Sequence, residues 1–293
     1  NWSFNSLEDF RNNKANSFSY TYFNTNDLDK DGNWGGKFGA AQLGLYIQDE
    51  WRPNADFTLT YGMRIDNPVL FDKPTANDEF NNSDLAKKHD VRIGDVPSGK
   101  LLYSPRVGFR WFVDKEHQVL LRGGAGLFTG RVPFVWISNN FSNNGIEQVS
   151  IKSYDQDKNP VLGQHITGED VKNKGFKASS STINVVDKDF KYPQVFRVNL
   201  ATDIDFGAGW QATLEALYSK SLNDLYVRNI GYEPTGTHFT AVPGVPASSA
   251  PIYQKVTSYS DVIYMTNTSK GYTYSVTAQL KKTFPWGLSV DAA

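Results

Sequence analysis

Apolar and polar residues alternate along Leu43–Asp66 with a period of two. In the first half Leu43, Leu45, Ile47 and Trp51 share one face, and Gly44, Tyr46, Gln48, Glu50 and Arg52 share the other. After a short turn, Phe57, Leu59, Tyr61, Met63 and Ile65 alternate with Thr58, Thr60, Gly62, Arg64 and Asp66. Successive side chains of a strand point to opposite faces of the pleat, so the pattern predicts a β-hairpin with one apolar and one polar face. Both runs exceed the about 5–6 residues of an ordinary strand and match the about 9–11 that a tilted strand needs to cross a bilayer. Asp49 breaks the pattern by falling on the apolar face. Lying beside Trp51 and the turn, it is expected at the membrane interface, where a charge costs about 0–1 kcal/mol rather than the midplane's roughly 2–4.

The alternation recurs in three more hairpins, near 104–130, 194–220 and 271–293. Val107, Phe109, Trp111 and Val113 oppose Arg106, Gly108, Arg110 and Phe112, and the return run carries Arg122 opposite Leu121 and Gly123. Phe196 to Phe206 oppose Arg197, Asn199, Asp203 and Asp205; beyond the tight turn Gly207-Ala208-Gly209, Trp210 to Tyr218 oppose Glu215. In the fourth hairpin Tyr272 to Leu280 oppose Lys281 and its small polar neighbours. Polar, proline-interrupted segments near 67–102, 131–191 and 221–270 separate the hairpins and read as long loops at one end of the strands. Loops of that length are uncommon in compact domains, whereas transmembrane barrels combine short periplasmic turns with long extracellular loops. Trp51, Phe57, Trp111, Phe206, Trp210, Phe284 and Trp286 flank the short turns, as do the aromatic girdles of barrels at the headgroup level. A soluble β-sandwich with these rings in its core is the competing reading; strand length and loop asymmetry favour the barrel.

The expected fold is therefore all-β, an antiparallel transmembrane β-barrel with long extracellular loops. Its polar face would line the lumen through Arg64, Asp66, Arg106, Arg110, Arg122, Arg197, Asp203, Asp205, Glu215 and Lys281. Charges of both signs among small residues suit a wet, ion-paired lumen or a wall packed against a plug.

Composition narrows the function. A net charge of −1 recommends neither nucleic acid nor anionic lipid as a long-range partner. Absence of cysteine excludes disulfide scaffolds, thiol catalysis and cysteine zinc sites. Aromatic content of 14% beside a mean hydropathy of −0.48, with no long apolar run, argues against a helical membrane protein but not against a barrel. Before the first hairpin, Leu7 to Lys14 suits a short helix and Phe18 to Phe23 a short strand. Asp27, Asp29 and Asp31, followed by Gly32, fit the first half of a calcium loop, in which alternate carboxylates surround a hard cation; Phe38 stands where the full pattern needs a glutamate. His89, His117, His165 and His238 have no metal-ligand spacing, and neither a nucleophile elbow nor a phosphate-binding glycine loop is present, so no enzyme is expected. The opening Asn-Trp-Ser and a last alternating run that stops at Ala293 suggest part of a longer protein.

The stretch Tyr46, Gln48, Asp49, Trp51, then Leu59, Tyr61, Gly62, Arg64 and Asp66 resembles the barrel hairpin of TonB-dependent outer-membrane receptors. Ser104, Pro105, Arg106 and Gly108 resemble the element that follows in the same receptors, and the glycine-rich run 123–131 is similar to the Oar-like receptors of Bacteroidota. The resemblance covers Leu43 to Phe134 well and the rest by pattern. It implies a 22-stranded barrel in the outer membrane of a Gram-negative bacterium. It further implies a plug domain absent from this chain, a TonB partner and nutrient uptake. A structural or adhesive barrel whose long loops bind a surface lipoprotein or another outer-membrane protein remains the alternative. An autonomous eight-stranded barrel is a further variant.

Overall fold

The structure, a computed structural model, describes residues 1–23, 35–176, 181–239 and 249–293. Asp27, Asp29 and Asp31 lie outside the described residues. In chain order the elements are β1 (Trp2–Ser3), α1 (Leu7–Arg11), β2 (Ser17–Phe23), β3 (Ala40–Trp51), β4 (Phe57–Leu70), α2 (Asp78–Asn81) and α3 (Asp84–His89). There follow β5 (Leu102–Phe112), β6 (Val119–Thr129), α4 (Phe134–Ser142), β7 (Gln148–Ser153), α5 (Gly168–Asn173) and β8 (Ile183–Val186). The remainder holds β9 (Gln194–Gly207), β10 (Trp210–Asn229), β11 (Tyr232–His238), β12 (Pro251–Lys255), β13 (Val262–Thr268), β14 (Tyr272–Thr283) and β15 (Ser289–Ala292).

Eight strands form one antiparallel meander in the order β15-β14-β10-β9-β6-β5-β4-β3. The sheet is open, with β3 and β15 at its edges. Register keeps the two faces apart: Leu45 pairs with Ile65 and Ile47 with Met63, while Tyr46 pairs with Arg64 and Gly44 with Asp66. Leu45 and Ile47 are 78% and 75% exposed. In a β-sandwich this apolar face would be the core, yet among the described residues no second sheet covers it. Apolar surface is stabilised by leaving water at about 25 cal/mol per Å², and bilayer hydrocarbon is the medium that removes this face from water. Asp49 lies directly across from Tyr61, whose hydroxyl donates to it at 2.9 Å, so this charge on the apolar face has a partner supplied by register.

Side chains and glycine close the short turns. Asn54 Oδ1 accepts the backbone N–H groups of Asp56 and Phe57, at 3.0 and 2.8 Å. Asp114 accepts those of Gln118 and Val119, at 2.8 and 2.7 Å. His117 Nε2 lies 2.7 Å from Asp56 Oδ1, tying these adjacent turns together. At the third turn Gly209 has φ +80°, and a Cβ there would lie 2.2 Å from the Thr283 carbonyl oxygen. Only glycine fits both demands.

The segments between the hairpins carry secondary structure of their own. The stretch 67–102 contains α2 and α3, 131–191 contains α4, β7, α5 and β8, and the described part of 221–270 is mostly strand. β10 runs nine residues past Lys220, adding about 30 Å at about 3.3 Å per residue. There Asp224 to Asn229 pair with β13, and β13 pairs in parallel with β8. The described hydrophobic core lies in these segments and β2 rather than under the sheet. Phe80, Leu85, Ile183, Ile230 and Val262 belong to one cluster, Leu102, Ile137, Phe190 and Met265 to a second, and Phe18, Ile151 and Val171 to a third. Asp187 joins β8 to β13 by accepting the Thr266 and Tyr264 hydroxyls at 2.7 and 2.8 Å. Burial raises its pKa, but these hydroxyls, the Asp189 N–H and the Lys188 charge outweigh burial and hold the carboxyl below its usual value.

Candidate functional site: the polar wall

Cross-strand register places all ten charged residues predicted for the lumen on one face of the sheet. A rung across that face reads Glu50, Thr60, Gly108, Gly124, Asn199 and Leu217. One rung nearer the folded end comes Gly62, Arg106, Gly126, Arg197 and Ser219. One rung nearer the turns comes Thr58, Arg110, Arg122, Ala201 and Glu215. Lys281 pairs with Gln211 on β10 and Asp291 on β15. Asp205 stays at its own turn, where it accepts the Gly207 N–H at 2.9 Å.

Beside an exposed Arg52–Glu50 pair near the first turn, two ion pairs organise the wall. Arg64 Nε and Nη2 donate to Asp66 at 2.8 and 2.7 Å, and Gln42 Nε2 adds a bond at 3.3 Å. Asp66 is 2% exposed, whereas Arg64 is 39% exposed. Room for the guanidinium comes from Gly44, where a Cβ would lie 2.4 Å from Arg64 Nη2. In the second, Arg122 Nε donates to Asp203 at 2.7 Å and the Thr213 hydroxyl donates to the same carboxylate at 2.7 Å. This carboxylate also faces a like-charge pair, since Arg110 stands directly across from Arg122. Sequence periodicity assigns the face but not these partners; Gln42, Gly44 and Thr213 acquire roles only through register.

A third group is built differently. The guanidinium carbons of Arg106 and Arg197 lie 5.6 and 5.9 Å from the ring centre of Phe128, within cation–π range. Phe128 has the polar parity of β6, so an aromatic residue out of phase with the apolar face is the sequence signal for this group. A cavity of about 350 Å³ opens here, lined by Thr60, Arg106, Gly108, Phe128, Arg197 and Asn199 among others. A second, of about 330 Å³, lies beside it and includes Glu50, Arg52, Arg110 and Arg122.

The family model described as "Outer membrane beta barrel domain" matches residues 1–293. The chain belongs to that family. Its strands cross the outer membrane of a Gram-negative bacterium, with lipid against the apolar face. No curated protein sequence matches it. Among solved structures it is similar to the siderophore receptor PirA from Pseudomonas aeruginosa, at 12% identity and a TM-score of 0.43, covering 86% of this chain and 33% of that one. It is also similar to the siderophore receptor PirA from Acinetobacter baumannii, at 12% identity and a TM-score of 0.45, covering 84% of this chain and 26% of that one. A mutant of the ferric enterobactin receptor PfeA from Pseudomonas aeruginosa matches at 14% identity and a TM-score of 0.43, covering 84% and 24%. The chain thus spans about a quarter to a third of the length of these receptors.

Proposed function

We propose that this chain forms part of the wall of a TonB-dependent outer-membrane transporter of the Oar-like, Bacteroidota type. In this reading the polar wall faces a lumen filled by a plug, and the complete barrel has 22 strands. The observation that carries it is the hairpin Tyr46–Asp66. Its Tyr-x-Gln-Asp-x-Trp and Leu-x-Tyr-Gly-x-Arg-x-Asp elements resemble the receptor hairpin, and Asp49, Arg64 and Asp66 within them hold the hydrogen bonds described above. The ten charged residues serve as lumen lining rather than as catalytic groups. The decisive experiment deletes the full-length gene and, separately, the energy-coupling TonB of the same cell, then compares growth and uptake across nutrient-limited media. Loss of uptake of one nutrient class in both strains is the expected result. Full-length protein without a plug domain, or uptake unaffected by either deletion, would sink the proposal.

An adhesive barrel is the second reading, favoured by the folded character of the three long segments. Their buried cores make a formed surface on which a lipoprotein or another outer-membrane protein could dock. Replacing the β11–β12 hairpin by a short glycine-serine linker should then abolish partner co-purification while leaving uptake intact.

A further inference from the structure

On the lipid side of the sheet, β10 and β14 carry two lysines at positions whose neighbours on that face are apolar or aromatic. Lys282 pairs with Trp210 beside the third short turn, and Lys220 pairs with Tyr272 ten residues further along β10. Between those rungs the lipid-side pairs include Leu214 with Ala278 and Ala216 with Val276, and none carries a charge. Ten residues at about 3.3 Å each, on a strand tilted about 35–45°, climb about 25 Å, the height of a barrel's apolar band. The two lysines therefore stand at its two edges. Lys282 is turned onto its own hairpin: Nζ donates to the Ala208 carbonyl at 2.7 Å and lies 4.8 Å from the Trp210 ring centre. Lys220 stands where the sheet leaves the band, since pairing with β14 ends at this rung and β10 continues alongside β13.

The lateral neighbours of Lys220 on this face are both in place, Phe196 on β9 and Tyr272 on β14. On the next lipid-side rung Tyr218 pairs with Tyr274, and the Tyr218 ring centre lies 6.5 Å from that of Tyr272. Tyr272 and Tyr274 are 65% and 76% exposed. Tyrosine suits the headgroup level because its ring is apolar while its hydroxyl donates. A lysine stem lies along such rings and carries an ammonium with three donors to the polar side. This is the outer-leaflet end of the strands, because the short turns of such barrels are periplasmic. We infer that Lys220, with the hydroxyls of Tyr218, Tyr272 and Tyr274, forms a binding site for the phosphate of an anionic outer-leaflet lipid. The acyl chains of that lipid lie over Leu214, Ala216 and Val276, and its phosphate takes a charge-assisted hydrogen bond from the ammonium. The site faces lipid rather than lumen, so it stands whatever passes through the barrel.

The test is native mass spectrometry of the purified full-length protein in detergent, titrated with phosphatidic acid and, separately, with phosphatidylcholine. Wild type should retain phosphatidic acid more tightly than phosphatidylcholine. Lys220→Gln should weaken one of the retained phosphatidic acid molecules about fivefold, the factor that one lysine near an anionic surface contributes. It should leave phosphatidylcholine unchanged. Lys220→Arg keeps the charge and should bind as wild type, as should Arg11→Gln in the exposed helix α1. Circular dichroism of each variant establishes that the barrel is intact. Equal phosphatidic acid binding in wild type and Lys220→Gln overturns the inference, and so does an equal loss of both lipids. Displacement of the lipid by millimolar inorganic phosphate would assign the site to a soluble anion and overturn the lipid assignment. Spin labels attached through Tyr272→Cys and Val276→Cys, in phosphatidylcholine vesicles, check the depth on which the argument depends. The label at 272 should lie at the headgroups and the label at 276 in hydrocarbon; equal depths overturn the inference.

Discussion

Truncating Arg64 tests whether the polar wall is held by specific pairs or by general hydration. Asp66 is almost fully buried and takes both forks of Arg64, at 2.7 and 2.8 Å, so Arg64→Ala strands a buried carboxylate with only the 3.3 Å bond from Gln42. Breaking a buried pair by removing one partner costs about 3–5 kcal/mol. Because Arg64 is 39% exposed, water screens part of the interaction, and the expected cost falls below that range. Removing both partners leaves no stranded charge, so Arg64→Ala with Asp66→Ala should cost less than Arg64→Ala alone, by about 1–2 kcal/mol. Gly44 supplies a second arm. Gly44→Ala intrudes on the guanidinium in wild type but not once Arg64 is alanine, so the two substitutions should be non-additive by about 1 kcal/mol. The assay is reversible guanidinium unfolding of the full-length barrel in lipid vesicles, followed by tryptophan fluorescence, with midpoints converted through a common slope. Equal stability of Arg64→Ala and the double variant, with Gly44→Ala additive to both, would refute the argument.

Three further outcomes follow from other parts of the molecule. Leu45 lies six residues from Trp51, about 20 Å along a strand tilted about 45°, which places it near the bilayer midplane; Leu45→Arg should cost about 2–4 kcal/mol in the same vesicle assay, and Trp51→Arg at the turn should carry a clearly smaller charge penalty. Gly209→Ala should destabilise by more than the roughly 1 kcal/mol of an ordinary positive-φ glycine, because the added methyl also meets the Thr283 carbonyl; a variant of wild-type stability would contradict the turn geometry. The depressed pKa of Asp187 means that its contribution is fully present above the unfolded carboxylate value of about 4 and is lost as pH falls through the lower folded value. Stability measured from pH 7 downward should therefore drop more in wild type than in Asp187→Asn, and parallel curves would remove the linkage.

The meander was legible in the chain because alternation is local. Leu45 and Ile47 announce a lipid-facing side, and Arg64 and Asp66 the opposite one, without knowledge of any partner strand. The folded character of the inter-hairpin segments was not legible. Their elements are short, as in α2 with four residues and β8 with four, too brief for a period to establish itself. Their core joins residues far apart in the chain, with Phe80, Ile183 and Val262 in one cluster, and the parallel β8–β13 pair leaves no local trace.

The wall divides along the same line. Sequence by itself determined which side chains share a face, since side-chain direction alternates within each strand whatever its neighbours do. Tertiary structure alone decided that Tyr61 meets Asp49, that Arg64 is forked onto Asp66 over Gly44, and that Arg106 and Arg197 converge on Phe128. Those meetings depend on inter-strand register. A slip of one residue would exchange every face and every partner, and register is set by the turns and the packing of the whole sheet rather than by any one strand.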